Sequence, residues 1–101
     1  MKKLSDILYK VRLQSVTGSL DIEVNNMQSD SRNISSNAVF IAVRGEKIDG
    51  HTFIDKAIAL GASAIVCELM PSVLQNSITY VLVKNTQEAV AYMAHNFFDT
   101  P

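Results

Sequence analysis

Three short apolar runs, rich in β-branched and aromatic residues, restrict the folds that this chain can adopt. They lie at 38–44 (AVFIAVR), 64–69 (AIVCEL) and 79–83 (TYVLV). Runs of this length without polar alternation are typical of strands that are covered on both faces. Helical spacing of apolar residues separates the first two runs, at 52–61, and follows the third. This alternation predicts an α/β fold, a small Rossmann-like domain whose mostly parallel sheet is packed between helices.

The segment before the first run is less regular. The apolar residues of 4–11 follow one face of a short amphipathic helix, with Ser5 as its candidate N-cap. Apolar and polar residues alternate over 20–25, which predicts a half-exposed strand. The stretch SDSRNISSN at 29–37 is then a polar connector.

Helix boundaries carry their own signals. Gly61 follows the second helical segment, where a left-handed residue commonly ends a helix. Asn85, with Glu88 three residues later, resembles a capping box at the start of the last helix. That helix is expected to stop near Pro101, where a linker would begin.

Composition bounds the function. The 101 residues predict a single domain, 1–101, and a net charge of −1 gives no basic surface for nucleic acid or for a membrane. The single cysteine, Cys67, lies in an apolar run and is expected to be a buried strand residue, with no disulfide and no cysteine metal cluster. We find neither a signal peptide pattern nor a run of ~20 apolar residues, so the cytoplasm is the expected location.

The common catalytic motifs are not found in this sequence. It holds no GxxxxGK[ST], HExxH or GxSxG pattern, and His51 and His95 are far apart. We therefore expect no catalytic residues, no metal site and no cofactor in this chain. His51, just before a helix, is expected to have a capping or hydrogen-bonded structural role, and His95 to lie on the surface.

The loop after the first apolar run is a candidate anion site. Gly45 permits a tight turn, and Gly50, His51 and Thr52 open the next helix, whose first N–H groups and dipole favour an anion. Arg44 and Lys47 would add positive charge. The alternative is an ordinary connection with Thr52 as N-cap and both cations in solvent.

The polar stretch SDSR, Ser29 to Arg32, precedes that run. Such residues are common in ordinary turns. If the strands at 20–25 and 38–44 share a sheet, however, this stretch and the anion-site loop approach each other. The hydroxyls of Ser29 and Ser31 would then bind a uracil edge, a ribose or a phosphate. Arg32 would pair either with phosphate or with Asp30 or Asp49.

Several short motifs, in this order, resemble one known family. DSR at 30–32, VFIAVRG at 39–45, DGHTFI at 49–54 and AIV at 64–66 are similar to the N-terminal domain of the Mur ligases. The branch indicated adds the third amino acid, meso-diaminopimelate or L-lysine, to the peptidoglycan precursor UDP-MurNAc-L-Ala-D-Glu. One departure is Asn37-Ala38, where the family has Gly-Asp or Gly-Thr, but Asn tolerates the left-handed conformation and preserves the turn.

The resemblance implies a fold, a ligand and partners. The chain would be the UDP-binding first domain, next to a central ATPase domain and a third domain that are absent here, with ATP and Mg²⁺ bound outside it. UDP-sugar contacts would fall on Ser29, Ser31, Glu46, Lys47 and Ile48. The supporting loop residues would be Asp30, Arg32, Arg44, Gly45, Asp49, Gly50 and His51.

Three alternatives stay open. The first domain of the Mur ligase that adds D-alanyl-D-alanine carries a similar DSR and DGH pattern, but the compact start and the short spacing from DSR to VFIAVRG fit the branch that adds the third residue somewhat better. It would otherwise be an interaction module without a nucleotide site, or a domain that binds another anion through the loop from Gly45 to Thr52.

Overall fold

A central sheet, flanked by helices on both faces, organises the chain. The computed structural model describes residues 2–98. Its elements are β1 (Lys2–Lys3), α1 (Leu4–Ile7), β2 (Leu13–Thr17), β3 (Glu23–Val24), β4 (Asn26–Gln28), β5 (Ala38–Ile41), α2 (Ile54–Ala59), β6 (Ala62–Cys67), β7 (Thr79–Val83) and α3 (Thr86–Phe98). Two 3-10 turns cover Ser31–Asn33 and Gly50–Phe53.

The sheet is mixed but mostly parallel. Its five strands have the order β2-β7-β6-β5-β4, in which the four strands from β4 to β7 run parallel and β2 pairs antiparallel with β7. The strands β1 and β3 form a separate antiparallel pair. The predicted α/β class, with a mostly parallel sheet and packed helices, is confirmed.

The apolar runs form strands because both of their faces are covered. On one face Val39, Val66 and Val81 pack with α1 and α3, and on the other Phe40 and Tyr80 pack with α2. All five of these side chains are at most 1% exposed. Burying a side chain of this size contributes ~1.5–3 kcal/mol, so these strands hold the two layers of helices together.

The N-terminal segment differs from the prediction. The helix expected over 4–11 ends at Ile7, and Ser5 lies inside it rather than at its cap. Lys3 is the N-cap without a side-chain hydrogen bond, and the Leu4 and Ser5 N–H groups donate instead to the carbonyls of Ile22 and Leu20, at 2.8 and 3.1 Å. Lys10, with φ at 69°, is left-handed, which is incompatible with a continuing helix.

The strand predicted over 20–25 is also wrong in its bounds. Within that stretch only Glu23–Val24 is a strand, and it pairs with β1. The sheet's edge next to β5 is instead formed by Asn26–Gln28. The prediction also missed β2, the strand at the other edge of the sheet. Its residues are mostly exposed, as is usual for an edge strand, and its sequence therefore has no apolar run.

The boundary signals were more informative. Gly61 is left-handed, with φ at 116°, and Asn37 has φ at 65°, as both predictions required. The Glu88 N–H donates to Asn85 Oδ1 at 3.0 Å, which confirms the cap of α3. The predicted linker start at Pro101 lies outside the described residues.

Single-residue predictions for the core and surface hold as well. Cys67 is fully buried in β6, and desolvation raises the pKa of its thiol to about 11. His95 is exposed on α3. Within residues 2–98, no helix has both the length and the apolar character needed to span a bilayer.

Replacing Gly61 tests the turn that joins α2 to β6. A Cβ there would lie 2.9 Å from Ser36 Cα and would adopt an unfavourable φ. We expect Gly61→Ala to lower the free energy of unfolding by at least about 1–2 kcal/mol, measured in urea. Ser77→Ala, in an exposed loop, is the control and should change it by less than about 0.5 kcal/mol. Equal effects of the two substitutions would contradict the strained turn.

Candidate functional site

A cleft opens at the carboxyl edge of the sheet, between the loops that follow β4 and β5. These strands are adjacent and parallel, so both loops emerge at the same edge. The cleft has a volume of about 520 Å³. It is lined by Ser29, Asp30, Ser31, Arg32, Val43, Gly45, Ile48, Gly50, Phe53 and Lys56.

The stretch SDSR forms one wall, and an internal ion pair shapes it. Asp30 caps the 3-10 turn by accepting the Arg32 N–H at 3.0 Å, and Arg32 Nη2 lies 2.7 Å from Asp30 Oδ2. These contacts with Arg32 lower the pKa of the Asp30 carboxyl to about 2. Because the Arg32 side chain is 79% exposed, the pair contributes little to stability. It fixes the shape of the loop and occupies the guanidinium.

The two serines of this wall differ in exposure. Ser31 is only 5% exposed, at the start of the 3-10 turn, whereas Ser29 is exposed. Both line the cleft. The structure therefore presents one sheltered and one solvated hydroxyl to a bound molecule.

The opposite wall is a tight turn after β5. The Gly45 N–H donates to the Ile48 carbonyl at 3.0 Å, and the Gly50 N–H donates to the Val43 carbonyl at 2.8 Å. A Cβ on Gly50 would lie 2.8 Å from Val43 N, so glycine is needed for this close approach. The turn places Ile48 on the cleft, and its side chain is 64% exposed.

Glu46 and Lys47 lie at the tip of this turn, where both are exposed, and they do not line the cleft. Arg44 is directed elsewhere too. Its guanidinium lies 3.6 Å from Asp49 and 3.8 Å from Glu68. The positive charge that Arg44 and Lys47 were expected to add to an anion site is therefore not placed on the cleft.

The start of the following helix is capped by Asp49 rather than by Thr52. Asp49 Oδ1 accepts the His51 N–H at 3.0 Å, and the Asp49 carbonyl accepts the Thr52 N–H at 3.1 Å. The expectation that these first N–H groups are free for an anion is wrong, because Asp49 already uses them. The bonds from His51 lower the pKa of the Asp49 carboxyl.

The predicted structural role of His51 is confirmed. Its Nδ1 lies 2.6 Å from Asp49 Oδ1, and its Nε2 accepts the Glu68 N–H at 2.9 Å. The ring thus connects the turn after β5 to the residues that follow β6. Glu68 in turn accepts the N–H and the hydroxyl of Thr86, at 2.8 and 2.9 Å.

Lys56 and Phe53 line the cleft and were not predicted. Phe53 ends the 3-10 turn and Lys56 lies in the first turn of α2, three residues later, which is the spacing of neighbours on one helical face. Lys56 and Asp30 line the same cleft, and the Lys56 charge adds slightly to the lowering of the Asp30 pKa that the Arg32 contacts produce. The spacing of Phe53 and Lys56 could have indicated that the two side chains lie on the same side of the helix. It does not indicate that this side faces the SDSR loop.

The cleft thus combines apolar side chains, two hydroxyls, the Asp30–Arg32 ion pair and the cation of Lys56. Within the described part of the chain, no group of three His, Cys, Asp or Glu residues could hold a metal ion. The arrangement suits a ligand with a flat apolar portion next to a polar or anionic portion.

Comparison with known proteins gives a family. A sequence profile described as "Mur ligase family, catalytic domain" matches residues 23–98. The UDP-N-acetylmuramoyl-L-alanyl-D-glutamate–2,6-diaminopimelate ligase of Cytophaga hutchinsonii is 42% identical over 98% of this chain and 21% of that protein. The Bacteroides fragilis protein of the same name is 37% identical, over 98% and 20%. The chain thus spans about a fifth of the length of these relatives.

Solved structures share the fold. MurF from Acinetobacter baumannii superposes with a TM-score of 0.72 at 20% identity, over 93% of this chain and 20% of that one. MurF from Thermotoga maritima in complex with ADP has a TM-score of 0.60 at 32% identity, over 71% and 16%.

The ion pair in the first wall can be tested through the titration of Asp30. Arg32→Gln should raise the Asp30 pKa from about 2 towards its ordinary value, because the side-chain bond and the positive charge are lost. Carboxyl carbon shifts in NMR would report this pKa, with Arg12→Gln, in an exposed distant segment, as the control. An unchanged pKa in Arg32→Gln would mean that the pair does not form in solution.

Proposed function

Because the chain belongs to the Mur ligase family, we propose that it binds the uridine diphosphate part of UDP-N-acetylmuramoyl-L-alanyl-D-glutamate in a ligase that adds 2,6-diaminopimelate. The observation that carries this proposal is the similarity over 98% of the chain to ligases of that name. The chain would be their UDP-binding first domain, over residues 1–101.

The cleft supports this ligand class. A uracil ring has flat apolar faces, which suit Ile48 and Phe53, and a polar edge, which suits the hydroxyls of Ser29 and Ser31. Lys56 forms no ion pair within residues 2–98, so its charge is available to a diphosphate. The volume of about 520 Å³ is within the usual range of ligand pockets.

The candidate contacts are revised accordingly. Ser29, Ser31 and Ile48 stay in the proposal as direct contacts, and Lys56 joins them. Glu46 and Lys47 would contact the ligand only through the backbone of the turn, because their side chains do not line the cleft.

The contribution of this chain to the proposed reaction is positioning. ATP would phosphorylate the terminal carboxylate of the substrate, giving an acyl phosphate and ADP. The amine of diaminopimelate would then attack the acyl phosphate, forming the amide bond and releasing phosphate. ATP and Mg²⁺ would be bound by a central ATPase domain outside this chain, and an ADP-bound MurF structure supports the use of ATP. Holding a remote part of the substrate lowers the entropic cost of bringing its carboxylate to ATP. We propose the cytoplasm as the location, since ATP is available there.

The D-alanyl-D-alanine-adding branch is the second candidate. It is favoured by solved structures of the same fold, which include the two MurF structures and a chain named UDP-N-acetylmuramoylalanyl-D-glutamyl-2,6-diaminopimelate–D-alanyl-D-alanyl ligase. The Acinetobacter chain is 20% identical, however, and the Thermotoga match covers only 71% of this chain. The sequence relatives therefore support the diaminopimelate branch better.

A titration with UDP tests the proposed ligand. Amide chemical shifts should change saturably at 29–32, 45–50, Phe53 and Lys56, because these residues form or adjoin the cleft. UDP should be raised to about 10 mM, which detects even a millimolar Kd. CDP, with the same diphosphate and a different base edge, is the control and should bind more weakly. A lack of saturable change at this concentration would overturn the proposal, and so would changes located elsewhere.

The two lysines near the cleft make a matched pair of variants. Lys56→Gln should weaken UDP binding by about tenfold, the effect of losing one charged hydrogen bond. Lys47→Gln, at the exposed tip, should change the Kd by less than about threefold, since only screened surface charge is lost. Urea unfolding would show that both variants are folded. If Lys47→Gln weakened UDP binding more than Lys56→Gln, the cation that contacts the diphosphate would be Lys47 and not Lys56.

A further inference from the structure

Both ring nitrogens of His51 are engaged, and by groups of opposite type. Nδ1 lies 2.6 Å from the Asp49 carboxylate. Nε2 lies 2.9 Å from the Glu68 backbone nitrogen and 3.2 Å from that of Leu69. The side chain is only 11% exposed, so water has limited access to these contacts.

The chemistry of these partners fixes the protonation of the ring. Backbone N–H groups can only donate, so Nε2 must offer its lone pair to Glu68 and Leu69. The single proton of a neutral imidazole then resides on Nδ1 and is donated to Asp49. A second proton, on Nε2, would point at two other protons and break both contacts.

The ring holds together segments that follow two adjacent strands. Asp49 and His51 belong to the connection after β5, whereas Glu68 and Leu69 follow β6. The Glu68 carboxylate continues the link by accepting the Thr86 N–H at the start of α3. The carboxyl edge of the sheet is therefore tied together across β5, β6 and the helix after β7.

The His51 contacts also support one wall of the cleft. Gly50 lies between Asp49 and His51 and lines the cleft, as does Phe53 at the end of the same 3-10 turn. The ring itself does not line the cleft. Any effect of His51 on a bound ligand must therefore act through the position of this wall.

We propose that His51 is a positioning residue, a neutral imidazole clasp that holds the Gly50–Phe53 wall of the cleft against the loop after β6. Its effect on UDP binding rests on the proposed function, whereas the clasp itself does not. Losing the acceptor at Nε2 would release the wall and weaken ligand binding without removing a ligand contact.

The tautomer can be observed directly. Long-range ¹H–¹⁵N correlation spectra near pH 7.5 should show His51 with its proton on Nδ1 and none on Nε2, as its hydrogen-bond partners require. The exposed His95 gives an internal comparison. An Nε2-protonated or doubly protonated His51 would overturn the clasp, and this measurement needs no variant.

Two substitutions of His51 distinguish the contribution of Nε2 from that of Nδ1. His51→Gln places an acceptor oxygen near the position of Nε2, whereas His51→Asn keeps only a group near Nδ1 and is too short to reach Glu68. His51→Asn should weaken UDP binding by about tenfold and His51→Gln by less than about threefold, because only the former leaves the two N–H groups unpaired. The control, His95→Gln, should leave the Kd unchanged. Equal effects of the two His51 variants would refute the positioning role.

Amide hydrogen exchange distinguishes failure of the clasp from failure of the proposed function. The Glu68 and Leu69 amides should exchange slowly in the unchanged chain and in His51→Gln, and faster in His51→Asn. If this pattern appears but the unchanged chain binds no UDP, the proposed function fails while the clasp stands. If these amides exchange alike in all three proteins, the clasp is refuted whatever UDP does.

Discussion

The parallel pairing of β4 with β5 is the constraint on which the site depends. Met27 lies opposite Val39, and Gln28 opposite Phe40, so both strands end at the same edge and release their loops side by side. All four residues of β5 are buried. A slip of one residue would exchange its two apolar faces, which pack against different layers of helices. The two walls of the cleft are thus held in register by a strand that has no contact with solvent.

Local pairing of charges decides what the cleft can attract. Asp30 is neutralised by Arg32, and Asp49 is held by His51 with Arg44 at 3.6 Å. These two carboxylates are therefore balanced by their own neighbours, and Lys56 lines the cleft without an ion pair among the described residues. The arrangement explains how a chain with a net charge of −1 can present a locally cationic site.

The sequence predicted features whose cause is local or depends on complete burial. The three buried strands followed from apolar runs, and Gly61, Asn37 and Asn85 from backbone conformation and capping. The edge strand β2 could not be predicted in the same way, because an exposed edge needs no apolar pattern. Lys56 was missed, and Lys47 expected instead, because the direction of each side chain depends on the Gly45–Ile48 turn and on how α2 meets the first wall. Both features depend on tertiary structure, and the local sequence does not indicate them.

The rigidity of the cleft matters because its proposed role is to anchor a remote part of a substrate. Binding energy gained there accelerates a distant reaction only if the anchor holds the reacting carboxylate in a narrow range of positions. A wall that moved by an ångström would weaken UDP binding and would also place the far end of the substrate less accurately. The hydrogen bonds that join Asp49, His51, Glu68 and Thr86 limit such movement across three connections of the sheet. The clasp therefore matters for the turnover of the proposed ligase as well as for UDP affinity.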